Sequence, residues 1–410
     1  MSEHYDVAIV GAGMAGSALA CLLGAIDIPR PLRVALIEAR ALPATAPLIE
    51  VGINDFDNRV SALTPASVAI LERIGIWESI CAQRVSPFRN MRVWDAEGTG
   101  EISFSANDVR ADALGYIVEN RQTTFALASE LRQCSHIDVL EGRPVESLLH
   151  DEQGGVSGLV MQGGRTLACD LLVAADGAMS AIRNMAGMAT RKWDYGQSAI
   201  VCTVRLASDH RQTAWQRFMP SGPLALLPLP ALEDGTQSLC SLVWSQQREE
   251  SERLMALDDG EFMAALSSAS EYRLGDVVEI SRRFSFPLRQ CHAVDYVQGG
   301  LALVADAAHS IHPLAGQGIN LGFADVESLA ECLRAAHERG APLGDKSVLQ
   351  RYQRQRKGHN LAMIGAVEGF KRLFEQTPLP LRWLRNMSMS GLDRQTRLKN
   401  LIVRYAMGVS

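Results

Sequence analysis

The chain has 410 residues, is 47% hydrophobic and 21% charged, and carries a formal net charge of −6; that is length for two domains over a shared core, with no basic excess that would suit nucleic acid. No apolar run reaches the roughly eighteen residues needed to span a bilayer, and Met1-Ser-Glu-His-Tyr-Asp6 lacks the basic and apolar parts of a secretion signal, so a cytoplasmic protein is expected. Eight scattered cysteines without a Cys-x-x-Cys pair argue against zinc sites and a disulfide framework.

Tyr5 to Val10 is a short apolar run that ends at Gly11-Ala-Gly-Met-Ala-Gly16, and the helix-forming stretch Ser17 to Ala25 and the apolar run Arg33 to Glu38 follow. This order predicts a strand, helix, strand unit in which Gly11, Gly13 and Gly16 let a pyrophosphate approach the backbone, with Glu38 placed for a ribose hydroxyl. The motif does not by itself distinguish FAD from NAD. Thr64 and Pro65 open a helix that stops at Gly75, and a second helix is predicted from Thr123 to Gln133.

β-rich segments then dominate: Met91 to Trp94, Ile102 to Phe104, Ala199 to Arg205, Gln216 to Met219, Leu224 to Leu229 and Ser238 to Trp244. They predict a second domain built on a mostly antiparallel sheet. Between and after them, Leu171 to Asp176 and Leu301 to Asp306 are apolar runs ending in an acid, as central parallel strands do at a ligand crevice. The expected division is therefore a discontinuous nucleotide domain (1–85, 119–186 and 287–345), a substrate domain (86–118 and 187–286) and a helical region from 346 to 410.

Three further features carry chemistry. Ala175-Asp-Gly-Ala-Met-Ser180 with Arg183 offers a carboxylate and a helix start. In His309-Ser-Ile-His-Pro-Leu-Ala-Gly-Gln-Gly-Ile-Asn-Leu-Gly-Phe-Ala-Asp325, a turn at Pro313 leads through Gly316 and Gly318 into a helix whose first N–H groups favour negative charge. His309 and His312 lack a third ligand, so no metal is expected, and each is either a base for a phenolic proton or a structural hydrogen-bonding group. Gln317 either contacts the cofactor or caps the helix. Lastly, residues 371–410 hold Lys371, Arg372, Arg382, Arg385, Arg394, Arg397, Lys399 and Arg404 against Glu375 and Asp393, interleaved with Phe370, Leu373, Phe374, Leu381, Trp383 and Leu384. Such a segment suits a membrane surface or partner, or else packs on the body.

Together these motifs resemble the group A flavoprotein monooxygenases of para-hydroxybenzoate hydroxylase type. More narrowly, His312 to Asp325, Arg59-Val-Ser-Ala-Leu63, Ile117-Val-Glu-Asn120 and Phe218 to Pro228 are similar to the ubiquinone-biosynthesis hydroxylases, the UbiH, UbiF and UbiI (VisC) group. The resemblance implies an α/β fold with a Rossmann-like FAD-binding domain. It assigns Gly11, Gly13, Gly16 and Glu38 to the ADP half, Arg59 to flavin and phosphates, Asp176 to the pyrophosphate and Asp306 to the ribitol. Pro313, Gly316, Gln317, Gly318 and Asn320 fall beside the isoalloxazine ring. Where the family has Gly-Asp this chain has Ala305-Asp306, and the added methyl is expected to crowd the cofactor.

The implied reaction is hydroxylation: NADH or NADPH binds briefly and reduces the flavin, O2 adds at C4a, and the distal oxygen passes to the ring of a polyprenylated phenol or benzoquinol. Trp244 or Phe218 could flank that ring, with core packing as the alternative. Contact with the inner membrane and with other ubiquinone-biosynthesis proteins is implied as well. A flavin-dependent reductase or dehydrogenase of an isoprenoid, and a non-catalytic scaffold, are the competing readings.

Overall fold

The computed structural model describes residues 3–24, 31–47, 52–232, 235–311 and 318–374, then 395, 399–401, 403, 404, 407 and 408. Among these, the strands form three sheets. The first has five mutually parallel strands in the order Leu301–Leu303, Arg165–Ala174, Glu3–Val10, Val34–Ile37 and Ile137–Leu140. They read as continuous apolar runs because both faces are covered: Val34–Ile37 and the last four residues of Glu3–Val10 are buried throughout. The helix Met14–Gly24 covers one face and packs on the helices Gly318–Glu338, Asn120–Leu131 and Pro65–Ile74.

An antiparallel hairpin, Val145–His150 with Val156–Met161, extends this sheet beside Arg165–Ala174; it is absent from the sequence-based expectation. The strand expected to run from Leu301 to Asp306 stops at Leu303, because Ala305 adopts a left-handed φ of 52° and turns the chain into a short 3-10 segment, Ala305–Ala307.

The second, nine-stranded sheet is antiparallel apart from one parallel pair, Thr213–Phe218 with Asn90–Asp95. Its longest member, Thr190–Leu206, pairs Phe284–Ala293 and then Leu239–Gln247. Phe284–Ala293 crosses the expected boundary between 286 and 287 and lies wholly in this sheet. Two further helices, Arg248–Ala256 and Asp259–Ala269, were not foreseen. The second is announced by a capping box, in which Asp258 accepts from the Glu261 N–H and Glu261 reaches back to the Asp258 N–H. Leu254, Phe262 and Leu266 of this pair pack with Trp244, Leu242 and Leu226 on one face of the sheet. On the other face Leu229 and Leu239 meet Ile53, Phe56 and Ile117.

The third sheet, Val60–Leu63, Gly115–Glu119 and Val85–Phe88, links the two larger ones. No described helix is long and apolar enough to cross a membrane.

Candidate active site

Four adjacent parallel strands end at one edge of the first sheet. Ala175 N–H donates to the Val10 carbonyl at 2.8 Å, Val304 N–H to Ala174 at 3.0 Å, and Gly11 N–H to Ile37 at 2.8 Å, so the chain leaves all four strands side by side. Gly11 and Glu38 follow their strands directly, Asp176 after one intervening residue and Asp306 after two. An open α/β sheet binds its ligand at such a crevice.

The three glycines have different reasons to be there. Gly11 has φ 103°, and a Cβ on it would lie 2.5 Å from the Ala175 carbonyl oxygen. A Cβ on Gly16 would overlap the Gly11 carbonyl, so this residue sets how closely the helix approaches the turn. Nothing lies within 4 Å of a Cβ on Gly13, which leaves that side of the turn open to a phosphate. Glu38 Oε2 accepts from Ala12 N–H at 2.7 Å and Oε1 from Arg40 N–H at 3.1 Å. Each oxygen keeps a second lone pair for ribose hydroxyls.

Asp176 and Arg183 provide the test of whether an anionic dinucleotide fits. Asp176 Oδ2 accepts from Ile182 N–H at 3.1 Å, while Oδ1 is buried without a hydrogen-bond partner among the described residues. Arg183 is almost fully buried; it donates to the carbonyls of Ala307 at 2.8 Å and Ala178 at 2.9 Å, bridging the turns that carry Asp306 and Asp176. Among the described residues it has no carboxylate partner. A buried guanidinium without a counter-ion and a buried acceptor without a donor are what a site looks like whose charge and hydrogen bonds are completed by a ligand. The residues fit FAD.

Asp306 opens onto the surface at this edge. The surrounding atoms raise its pKa by desolvation, and the His309 and Arg59 charges oppose that rise. Arg59 itself is exposed, at the end of a segment pinned by a buried ion cluster. There Glu119, with Asp55, is paired to Arg84 and Arg121, and it accepts from the Asp57 N–H at 2.7 Å. The Asn120 N–H then holds the Arg59 carbonyl at 3.0 Å.

Gly318 is the first residue of its helix, and a Cβ there would meet nothing within 4 Å. His312, Pro313, Gly316 and Gln317 lie outside the described residues. Asn320 is differently employed than expected. Its Oδ1 accepts from Thr64 N–H at 3.0 Å and from Ser67 Oγ at 2.7 Å, and its Nδ2 donates to the Ala62 carbonyl at 2.8 Å. The side chain fastens the strand that follows Arg59, and the helix after it, to the Gly318 helix.

One other expectation is corrected, and two open alternatives are resolved. The Ala305 methyl is directed at Gly322 of the Gly318 helix: a Cβ built on Gly322 would lie 2.8 Å from it but 3.6 Å from the Ala305 Cα. His309 is 2% exposed and its Nε2 lies 2.5 Å from Asp325 Oδ2, so it is no base for a substrate proton. Trp244 packs edge-on against Phe262, at 6.0 Å between centroids, and Phe218 stacks on Phe374 at 4.3 Å, so both are core residues. No group of three His, Cys, Asp or Glu among the described residues is placed to hold a metal.

Sequence reasoning missed the cluster around Asp325, which also takes bonds from Arg356 and Asn360. The one signal for it was a pair of polar residues, Asn320 and Asp325, on an otherwise apolar helix face.

Residues 4–366 match a family described as FAD binding domain. The chain is 35% identical to the ubiquinone biosynthesis monooxygenase COQ6 of Mus musculus, over 98% of this chain and 90% of that protein. It is also 35% identical to the 3-demethoxyubiquinol 3-hydroxylase of Escherichia coli K12, over the whole of both chains. Among solved structures, p-nitrophenol 4-monooxygenase PnpA of Pseudomonas putida superimposes with a TM-score of 0.75 at 17% identity, over 99% of each chain. PqsL of Pseudomonas aeruginosa gives 0.74 at 23%, over 91% of this chain and 97% of its own. At these identities the two structures speak for the fold.

Proposed function

The chain belongs to the FAD-binding-domain family that includes the ubiquinone-biosynthesis hydroxylases, and we propose that it inserts one oxygen atom of O2 into the aromatic ring of a polyprenylated phenol or benzoquinol. It is an FAD-dependent monooxygenase of ubiquinone biosynthesis. The observation that carries the substrate reading is the 35% identity to a 3-demethoxyubiquinol hydroxylase along the full length of both chains.

FAD, when bound, takes electrons from NADH or NADPH and activates O2 for transfer to the ring. The protein binds, orients and excludes water. Gly11 and Gly13 bring the backbone close to the pyrophosphate, and the Arg183 charge lies between the neighbouring Asp176 and Asp306 turns. Glu38 holds the ribose, Asp306 the ribityl chain, and Arg59 supplies positive charge near it. Ile53, Phe56, Ile117, Leu229 and Leu239 form an apolar layer between the second and third sheets, beside the Arg59 segment. A buried layer of this kind keeps water from that side of the site.

The same proposal puts the enzyme at the cytoplasmic face of the inner membrane, in reach of its lipid-like substrate and of other ubiquinone-biosynthesis proteins. The 371–410 segment is the candidate contact. Its described residues are already partly engaged: Lys371 lies over the Tyr195 ring, Arg372 pairs with Glu368, Lys399 with Asp108, and Phe374, Val403 and Met407 are buried. Arg372 and Arg404 remain exposed on the outside.

The test is deletion of the gene, mass spectrometry of the accumulated quinone precursor, and turnover of that precursor by the purified protein under isotopically heavy O2. The expected product carries one heavy oxygen. Unchanged ubiquinone in the deletion strain, or turnover that continues without O2, would defeat the proposal; the second result would favour a reductase on the same fold.

A further inference from the structure

We propose that Asp325 is a positioning residue for the cofactor. From inside the Gly318–Glu338 helix it holds both ends of the Ala305–His309 turn, and Arg356 and Asn360 of the helix Lys346–Phe374 hold Asp325 in turn. The inference rests on the flavin reading of Asp306 given above.

Asp325 is completely buried, and both of its oxygens are filled. Oδ2 accepts from the Ala305 N–H at 3.2 Å and faces His309 Nε2 at 2.5 Å. Oδ1 accepts from Arg356 Nε at 2.8 Å and Asn360 Nδ2 at 3.0 Å. One carboxylate oxygen therefore points at the cofactor turn and the other at the C-terminal helix. Burial alone would raise the Asp325 pKa, but the charge and hydrogen bond of His309, then Arg356, hold it below the usual carboxylate range.

The turn needs holding. Ala305 has φ 52°, a conformation unfavourable to any residue with a Cβ, which persists only where the surroundings enforce it. Asp306 lies between the two points that Asp325 grips, and it opens to the surface. The Lys346–Phe374 helix and the chain after the strand Phe284–Ala293 reinforce the arrangement. Tyr352 donates to the Leu303 carbonyl at 2.8 Å, just before the turn, and Tyr296, bonded to His292 at 3.1 Å, lies against the His309 ring. Buried charges of this kind are weak sources of net stability compared with apolar filling, and their attested use is to fix one geometry.

The experiment compares His309→Leu, which removes the donor to Asp325, with His309→Gln, which retains an N–H able to reach it. Arg356→Lys, at the partly open edge of the cluster, serves if His309→Leu does not fold. The readouts are the FAD dissociation constant of the apoprotein, the visible absorption of bound flavin, and product formed per NAD(P)H oxidised at saturating FAD. His309→Leu is expected to weaken FAD binding about tenfold or more, to shift the flavin bands and to lower product per NAD(P)H, with His309→Gln recovering most of each. Arg356→Lys moves all three readouts in the same direction. General loosening of the fold is read separately, as the melting temperature of each apoprotein, which the positioning role leaves within a few degrees of the parent in His309→Gln. If His309→Leu, or Arg356→Lys in its place, binds FAD within twofold of the parent with the same spectrum and coupling, the role assigned to Asp325 is wrong while the flavin reading stands. If the unaltered chain takes up no FAD, both fall together.

Discussion

At the scale of single residues, Ala305 and Gly322 form a complementary pair across the junction of turn and helix. A left-handed Ala costs about 1 kcal/mol relative to Gly, and its methyl occupies the space that a larger residue at 322 would need. Ala305→Gly should therefore stabilise the protein by up to about 1 kcal/mol, whereas Gly322→Ala should destabilise it. Because the Cβ atoms would meet, the penalty at 322 should shrink in the double variant by about 1 kcal/mol. Thermal melts of the four proteins give that coupling directly, and simple additivity would show that the two sites do not touch. This pair also marks a limit of reading from sequence. The departure from Gly was legible at Ala305, but the direction of its methyl depends on a helix seventeen residues on.

At the scale of elements, the strand ends were legible because each joins a strong apolar run to a Gly or an acid: Val10 to Gly11, Ile37 to Glu38, Ala175 to Asp176. Chain-local chemistry was enough there. The Asp325 cluster was not legible, since its partners are contributed by a strand end, a turn and a second helix, and only packing brings them together. The strand Phe284–Ala293 brings one more member, His292, whose pKa burial lowers to about 4, helped by the charges of His309, Lys357 and Arg191. A lowered histidine pKa means that the unfolded chain binds the proton first as pH falls. Stability should thus be full above the unfolded value near 6.5 and decline as pH drops toward 4, by about 3 kcal/mol in total. Asp325, held low, contributes its own loss only below the ordinary carboxylate range. Melting temperatures at pH 7.5 and 5 should separate, and His292→Gln should narrow the gap; an equal slope in that variant would remove His292 as its source.

For the whole molecule, several of the last described residues are packed into the body. The ring of Phe374 stacks on Phe218 at 19° between planes, and Val403 and Met407 pack with Ala106 and Leu114. The Ala66 N–H reaches the Met407 carbonyl at 3.5 Å, so the last residues described meet the helix that follows the Arg59 strand. The mixture of rings and cations in 371–410 is compatible with either a surface segment or a packed one, and composition alone could not choose between them. Phe374→Ala should cost about 3 kcal/mol, read as a lower melting temperature; a change within a few tenths would mean that the stack contributes little.

Arg183, lodged between the Asp176 and Asp306 turns with carbonyls for company, has a consequence for the life of the protein in a cell. A newly made polypeptide folds around a cation whose counter-charge must arrive from the metabolite pool, so the loaded and unloaded forms differ in stability by mass action. Vitamin supply should then govern abundance as well as turnover: in riboflavin-starved cells the unloaded form would be cleared by proteolysis first, and steady-state levels would fall without any change in transcription.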